Sequence, residues 1–488
     1  MPQGDAAPGN GQPPHFIVVV PGYMGSKLRD KTTGEIVWID FSTIPANPLR
    51  WDDWLENLFS KMAYPNDDLE PAGIVDEVVF VPPWAKQEQY GRLVRWLEDI
   101  GYCADEHQFS EAERNVYTFS YDWRQDNRIS GRKLGEAIQR WSSFHPGAKA
   151  WLIAHSNGGI ISRWYIEKEG GRETVGLLLL MGSPWDGAPK SVKILFEGLD
   201  TLFRKGFNLF DIQRRTRDLT RTFPSAYQLI PVLNPFLRNL NNELVDPFDG
   251  HGWLSQPPHL QYLEDGKRFN LELGNSLSVE TLCFFGRKLP TTTNGLVRFA
   301  AGDTWDSIEW FANEAGDGTV PERSAVNPNA SGKYPFLVNH GDIYITPPVL
   351  EFLQWELVDK YALLPGAEDR AAALTPRLRV MFEASGDSFS PGEEISLWAS
   401  VRRMEDDAPL SGAQVQVRTL WRQALPGSQA APPVAPLPST HLWESEGMPG
   451  EYASSLTAPQ VEGYYRLVAT VQAVGEPAVE LEELVAIE

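Results

Sequence analysis

The chain has 488 residues, 42% hydrophobic and 22% charged, the balance of a folded protein too long for one core; about two to three domains are expected. Its formal net charge of −22 excludes nucleic acid as a partner on electrostatic grounds. Only Cys103 and Cys283 occur, which excludes a disulfide framework, and no apolar run reaches the ~20 residues that span a bilayer.

Residues 1–14 are rich in Pro, Gly and Gln and predict a flexible lead-in without a readable signal peptide, so a cytoplasmic location is expected. From 15 to 365 short apolar runs alternate with amphipathic segments, the pattern of an α/β domain. The expected strands are Phe16–Val20, Val78–Val81, Val116–Phe119, Trp151–Ala154, Val175–Met181 and Leu282–Phe285. They are nearly continuous apolar runs, as strands buried on both faces of a parallel sheet require. Helical spacing marks Gln89–Asp99 and Gly158–Lys168. The segment of about 185–280 breaks the rhythm with turns and Pro pairs and predicts an insertion that caps the site.

Composition changes in the tail. Residues 366–488 hold no lysine and eight arginines against eighteen acidic residues. Their alternating segments (Arg379–Phe382, Glu394–Val401, Gln414–Trp421, Glu451–Leu456, Gly463–Val471 and Glu480–Ile487) predict a β-sandwich of immunoglobulin-like architecture, separable from the catalytic domain. A protein partner of unknown kind is expected for it.

The sharpest chemical signal is Trp151-Leu-Ile-Ala-His-Ser-Asn-Gly-Gly159, a buried strand running into Ser156 with a helix pattern directly behind. This is the form of a nucleophile elbow, whose tight turn demands small residues two before and two after the serine, here Ala154 and Gly158. The helix start offers the Asn157 amide to a developing oxyanion. Of eight histidines, His15, His107 and His145 precede the serine, and His155 adjoins it with its side chain expected to point away. His251 and His259 fall in the insertion and His441 in the tail, which leaves His340 as general base. Asp317, in the Gly-flanked turn Gly316-Asp-Gly, stands between serine and histidine as this architecture orders its acid. A second oxyanion donor is expected from the Tyr23 amide, where a strand ends in Pro21-Gly-Tyr-Met-Gly25. A phosphate-binding loop is the competing reading of that turn, but its Gly-x-Gly spacing and Lys-Ser/Thr pair are absent. No metal-ligand spacing is present, and neither a metal nor another cofactor is expected.

Together, Pro21-Gly-Tyr-Met-Gly-Ser-Lys-Leu28, Tyr121-Asp-Trp-Arg124, Ala154-His-Ser-Asn-Gly-Gly159, Gly182-Ser-Pro-Trp-Asp-Gly187, Gly316-Asp-Gly-Thr-Val320 and His340 resemble, in order, the lecithin:cholesterol acyltransferases. That family takes in lysosomal phospholipase and phospholipid:diacylglycerol acyltransferase relatives. The resemblance spans about residues 16–345. It implies an α/β-hydrolase fold with Ser156, Asp317 and His340 as triad and the Tyr23 and Asn157 amides as oxyanion hole. It also places Trp123 and Met24 at the substrate. Asn157 fills a slot often held by Met or Leu in the family, no cysteine pair marks an early lid, and the tail is outside the eukaryotic pattern.

The expected activity is acyl hydrolysis or transfer on lipid esters, since water and an alcohol acceptor use one triad. A non-lipid esterase, thioesterase or peptidase is the second enzyme reading, and a catalytically dead scaffold or adhesion protein the third. Within the insertion, Arg204, Lys205, Arg214, Arg215, Arg217 and Arg221 face only Asp211 and Asp218, with Phe203, Phe207, Leu209, Phe210 and Ile212 interleaved. Either this is a solvated helix face, or its cations meet anionic head groups in a peripheral membrane contact.

Overall fold

Runs such as Phe16-Ile-Val-Val-Val20 have no polar face to give to water, so they fit only strands covered on both sides. In the computed structural model they form a six-stranded parallel sheet: β1 (His15–Val20), β2 (Val116–Thr118), β3 (Lys149–His155), β4 (Val175–Met181), β5 (Glu280–Gly286) and β6 (Gly332–Phe336). The structure describes residues 15–38, 51–65, 68–75, 90–105, 107–199, 209–313, 315–359, 378–386, 388–403, 408–425, 431–474 and 478–488. The expected strand Val78–Val81, the lead-in, the boundary near 365 and residues 203–208 of the basic stretch lie outside these.

Across the sheet the order is β2-β1-β3-β4-β5-β6. The connection leaving β1 runs to one side and everything from β3 onward to the other. The C-terminal ends of β1 and β3 therefore flank the crevice where the order reverses, the place where such sheets bind ligands. Register sets Val20 beside Ala154 and His155 beside Met181, so the chain turns after β1 and after β3 leave at neighbouring points. β6 was not anticipated from Gly332-Lys-Tyr-Pro-Phe336, because Pro335 argues against a strand. Among the described residues it pairs only with β5, and an edge is where proline is tolerated.

Helix α1 (Asn127–Ser142) is capped by Asp126, whose carboxylate accepts the Arg128 amide at 2.8 Å. It packs against α2 (Asn157–Lys168) where Gly131 and Gly135 leave room for Trp164 and Tyr165. Helix α3 (Leu209–Thr220) and helix α4 (Pro257–Leu273) lie in the segment expected to cap the site. α4 stacks Phe269 on Trp164 of α2 at 5.0 Å, so it belongs to the layer covering the sheet. An antiparallel hairpin, Thr291–Phe299 with Trp305–Asn313, follows β5 and was also not anticipated.

The chain divides into two compact units, residues 1–78 with 88–344 and residues 79–87 with 345–488. In the second, an eight-stranded β-rich sheet runs 378–384, 394–403, 451–457, 439–444, 414–423, 463–472, 479–487 and 388–389. Alternation puts Ile395, Leu397, Ala399, Val401, Val415, Val417, Leu467 and Ala469 into one core, with Glu394 and Ser396 exposed between them, while Ser400 and Val468 are buried as well. Among the described residues no helix is long and apolar enough to cross a membrane.

His15 opens β1 stacked on Trp151 at 3.6 Å, its Nε2 2.8 Å from the Tyr102 hydroxyl, and burial pushes its pKa down to about 4. Unfolded, the same imidazole takes its proton near 6.5. Between these values the unfolded chain binds more protons, so stability falls as pH drops through that window. His15→Phe keeps the stacked ring without the titration. Urea unfolding should therefore show the variant losing about 2 kcal/mol less than the parent between pH 7 and 4.5. Equal losses would mean the imidazole does not stay neutral in the fold.

Candidate active site

A tight strand-to-helix turn after β3 puts Ser156 at φ 51°, ψ −123°, left-handed backbone that few non-glycine residues adopt. The turn survives because Gly158 lies against the end of β1: a methyl there would collide with the carbonyl oxygens of Val20 and Pro21. Gly158→Ala should cost about 3 kcal/mol or more in chemical denaturation; a cost under about 1 kcal/mol would mean the two turns separate easily.

His340 lies in the loop after β6, with its Nε2 2.9 Å from Ser156 Oγ and its Nδ1 2.7 Å from Asp317 Oδ2. The Asp317 side chain is fully buried. Its charge is met by hydrogen bonds: Oδ1 accepts the Thr319 and Val320 amides at 2.9 and 2.7 Å, and Oδ2 takes the imidazole. A backbone bond from the His340 amide to the Asp317 carbonyl, 2.9 Å, ties the two loops together. Gly182, at φ 57°, lies under this pair, and a Cβ there would press on both Asp317 and His340. With the proton on Nδ1, Nε2 is left as acceptor toward the hydroxyl, the state needed to deprotonate it.

Asn157 follows the serine at the start of α2, and Tyr23 follows Gly22, whose Cα side lies against Ser156 in the β1 turn. Among the described residues neither backbone amide has a hydrogen-bond acceptor, so both are available to a ligand. Asn157 has a clear use for its polarity. Its side chain exchanges hydrogen bonds with that of Asn127, 3.0 and 3.1 Å, and its Nδ2 reaches the Tyr121 hydroxyl at 3.2 Å. Tyr121 in turn donates toward the carbonyls of Pro21 and Gly22, so the elbow, the start of α1 and the β1 turn share one buried polar network. Arg124, fully buried, forks onto Asp122 at 2.9 and 2.8 Å and holds that segment.

Trp123 is 1% exposed. It packs beneath Tyr23 at 5.2 Å and donates its indole to the Ser26 carbonyl. Met24, half-buried at φ 66°, accepts the Trp38 indole on its carbonyl. Burial pushes the Tyr23 phenol far above its ordinary pKa and keeps it neutral. Asp186, unassigned from sequence, accepts the amides of Val232, Leu233 and Asn234 and the Asn234 side chain, which pins the segment that leaves β4. A second omission is His155, which is fully engaged beside the site. Its −1 position was a visible signal, but its partners are remote in sequence. In α3, Ile212 is buried, Arg217 pairs with Asp218 at 2.8 Å, and Arg215 lies 3.8 Å from Asp52. Arg221, expected among the exposed cations, instead turns inward and donates to the Leu195 carbonyl.

Residues 37–262 match the family model described as lecithin:cholesterol acyltransferase. The phosphatidylcholine-sterol acyltransferase of Gallus gallus is 24% identical over 374 residues, 66% of this chain and 82% of its own. Among solved structures, a chain of the Tle4-Tli4 complex superposes with a TM-score of 0.52 at 12% identity, over 72% of this chain and 99% of that one, a likeness of fold. The Bacillus licheniformis lipase BlEst2 in propeptide form aligns over 98% of this chain and 94% of its own at 13% identity, with a TM-score of 0.33.

Proposed function

We propose that this chain, lecithin:cholesterol acyltransferase-like and an acyltransferase or hydrolase of α/β-hydrolase type, cleaves lipid esters through an acyl-enzyme on Ser156. The observation that carries this reading is the continuous hydrogen-bonded line Ser156–His340–Asp317 at the elbow. Ser156 Oγ attacks the ester carbonyl while His340 Nε2 takes its proton. Asp317 holds the imidazole and stabilises its positive charge. The Tyr23 and Asn157 amides receive the tetrahedral oxyanion. His340 then gives the proton to the departing alcohol, and the Ser156 ester is opened by water or by a second alcohol with His340 again as base. Incubating the protein with mixed phospholipids, acylglycerols and sterols and resolving products by mass spectrometry tests the reading. Free fatty acid or a new acyl ester supports it; intact lipids with a turned-over thioester or peptide would overturn the lipid assignment.

Docking of α3 on anionic lipid is the membrane part of the proposal, supported by the density of cations over Arg214–Arg217. Hydrolysis should rise on anionic vesicles and fall with added salt. Replacing Arg214, Arg215 and Arg217 by Gln should blunt both responses, and equal rates on anionic and neutral vesicles at every ionic strength would remove the idea.

A further inference from the structure

We propose that His155 and Tyr90 are positioning residues that lock the turn carrying the Tyr23 oxyanion donor to the loop carrying His340; the proposal rests on the acyl-transfer reading above. The Gly22 amide donates to the Tyr90 hydroxyl oxygen at 2.7 Å. That hydroxyl lies 2.8 Å from His155 Nδ1. On the far side of the ring, His155 Nε2 lies 2.9 Å from the backbone carbonyl of His340. A carbonyl only accepts, so Nε2 carries the hydrogen, Nδ1 accepts from the Tyr90 hydroxyl, and the Tyr90 oxygen accepts from Gly22. One ring thus supplies a donor to one loop and an acceptor toward the other.

The middle of the line is buried, with Tyr90 0% and His155 1% exposed, and it reaches the half-buried His340 at its end. Bonds in such surroundings are strong when complete, and a missing partner is costly. Tyr344 closes the cluster, stacked on Tyr90 at 4.6 Å and tilted against His155 at 4.8 Å. Glycine at 22 is part of the device, because a Cβ there would lie 2.8 Å from His155 Nδ1 and 2.9 Å from Ser156 Cβ. The two tethered residues matter for the reaction. Gly22 immediately precedes the Tyr23 amide that faces the oxyanion, and the His340 carbonyl belongs to the base itself. The distance between donor and base is thereby held across a gap that no peptide bond bridges. Displacement by about 1 Å in such a pair lowers turnover about a hundredfold.

The test uses the full chain, a soluble short-chain ester, separate kcat and KM values, Ser156 labelling by a fluorophosphonate probe, and thermal unfolding. Tyr90→Phe, which removes one oxygen, and His155→Leu, which removes both ring nitrogens, should each lower kcat about tenfold to a hundredfold. KM should change less than about twofold and labelling should slow in parallel. The double variant should be no slower than the worse single one, because both break the same line. His155→Gln, whose amide again offers a donor and an acceptor, should recover kcat about tenfold over His155→Leu. In the parent protein, 15N shifts of the His155 ring should report a hydrogen at Nε2 and none at Nδ1. This holds as a test even if the variants fail to fold. A parent that turns over ester while folded Tyr90→Phe and His155→Leu stay within twofold in kcat would overturn the positioning role alone. So would a His155 ring protonated at Nδ1. A parent with neither ester turnover nor Ser156 labelling would overturn the acyl-transfer reading, and this proposal with it.

Discussion

Ser156→Ala should lower ester turnover by about four orders of magnitude or more and leave the fold standing. The two halves of that expectation have separate causes. Among the described residues the Ser156 hydroxyl bonds only toward His340 Nε2, and although the residue occupies the N-cap of α2, its side chain caps no amide. Removing the oxygen therefore strips the helix of nothing. Alanine is as strained as serine at φ 51°, so the elbow keeps its shape. Residual rate over water would come from substrate binding and the two amides, since these survive the change. Thermal unfolding within a few degrees of the parent, with turnover near background, is the expected pair of results. Activity within tenfold of the parent would remove Ser156 as the nucleophile.

Asp317→Asn should cost on the order of 10³–10⁴ in turnover with normal folding. The Asn oxygen keeps the Thr319 and Val320 amides, because those two bonds fix which way the amide group lies. Its NH₂ then faces His340 Nδ1, where the carboxylate had accepted a hydrogen. Two donors cannot share that contact, so the imidazole moves its hydrogen to Nε2 and presents it to Ser156, unable to take a proton. Asp303 and Asp306, exposed on the hairpin after β5, are the controls: their Asn variants should stay within about twofold. A large loss at either, with Asp317→Asn active, would transfer the acid to that position.

Sequence carried the central sheet well because its strands are buried on both faces. Val175–Met181 appears at the expected bounds, and β3 differs only by extensions at its ends. Gly332–Phe336 escaped because its Gly, Lys and Pro belong to an edge strand, where the pattern of a buried run does not apply. The hairpin of Thr291–Phe299 and Trp305–Asn313 escaped for another reason. Thr291-Thr-Thr-Asn294 opens its first strand and Asp306, Ser307 and Glu309 interrupt its second, so neither carries the continuous apolar run of a buried parallel strand. At the site, Ser156, Asp317 and His340 were legible from order and turn chemistry, and the structure brings all three into hydrogen-bond contact. His155 was expected to point away from Ser156, and no partner was foreseen for it. Its environment comes from Tyr90 and His340, 65 and 185 residues distant, and no local pattern encodes such a meeting. Asn157 likewise departs from an apolar slot because Asn127 and Tyr121 stand opposite it.

The strand order has a consequence for how the protein is made. β1 sits in the interior of the sheet, yet both strands that flank it, at Val116–Thr118 and Lys149–His155, are translated long after it. At ribosomal rates of about 5–20 residues per second, the interval from Val20 to His155 lasts on the order of ten seconds. Throughout it, Phe16–Val20 leaves the ribosome with its backbone donors unpaired and neither neighbouring strand available to cover it. Such a run, apolar, β-branched and uncharged, is the kind that associates between chains. The early part of synthesis is therefore a stage at which this run stands open to association between chains.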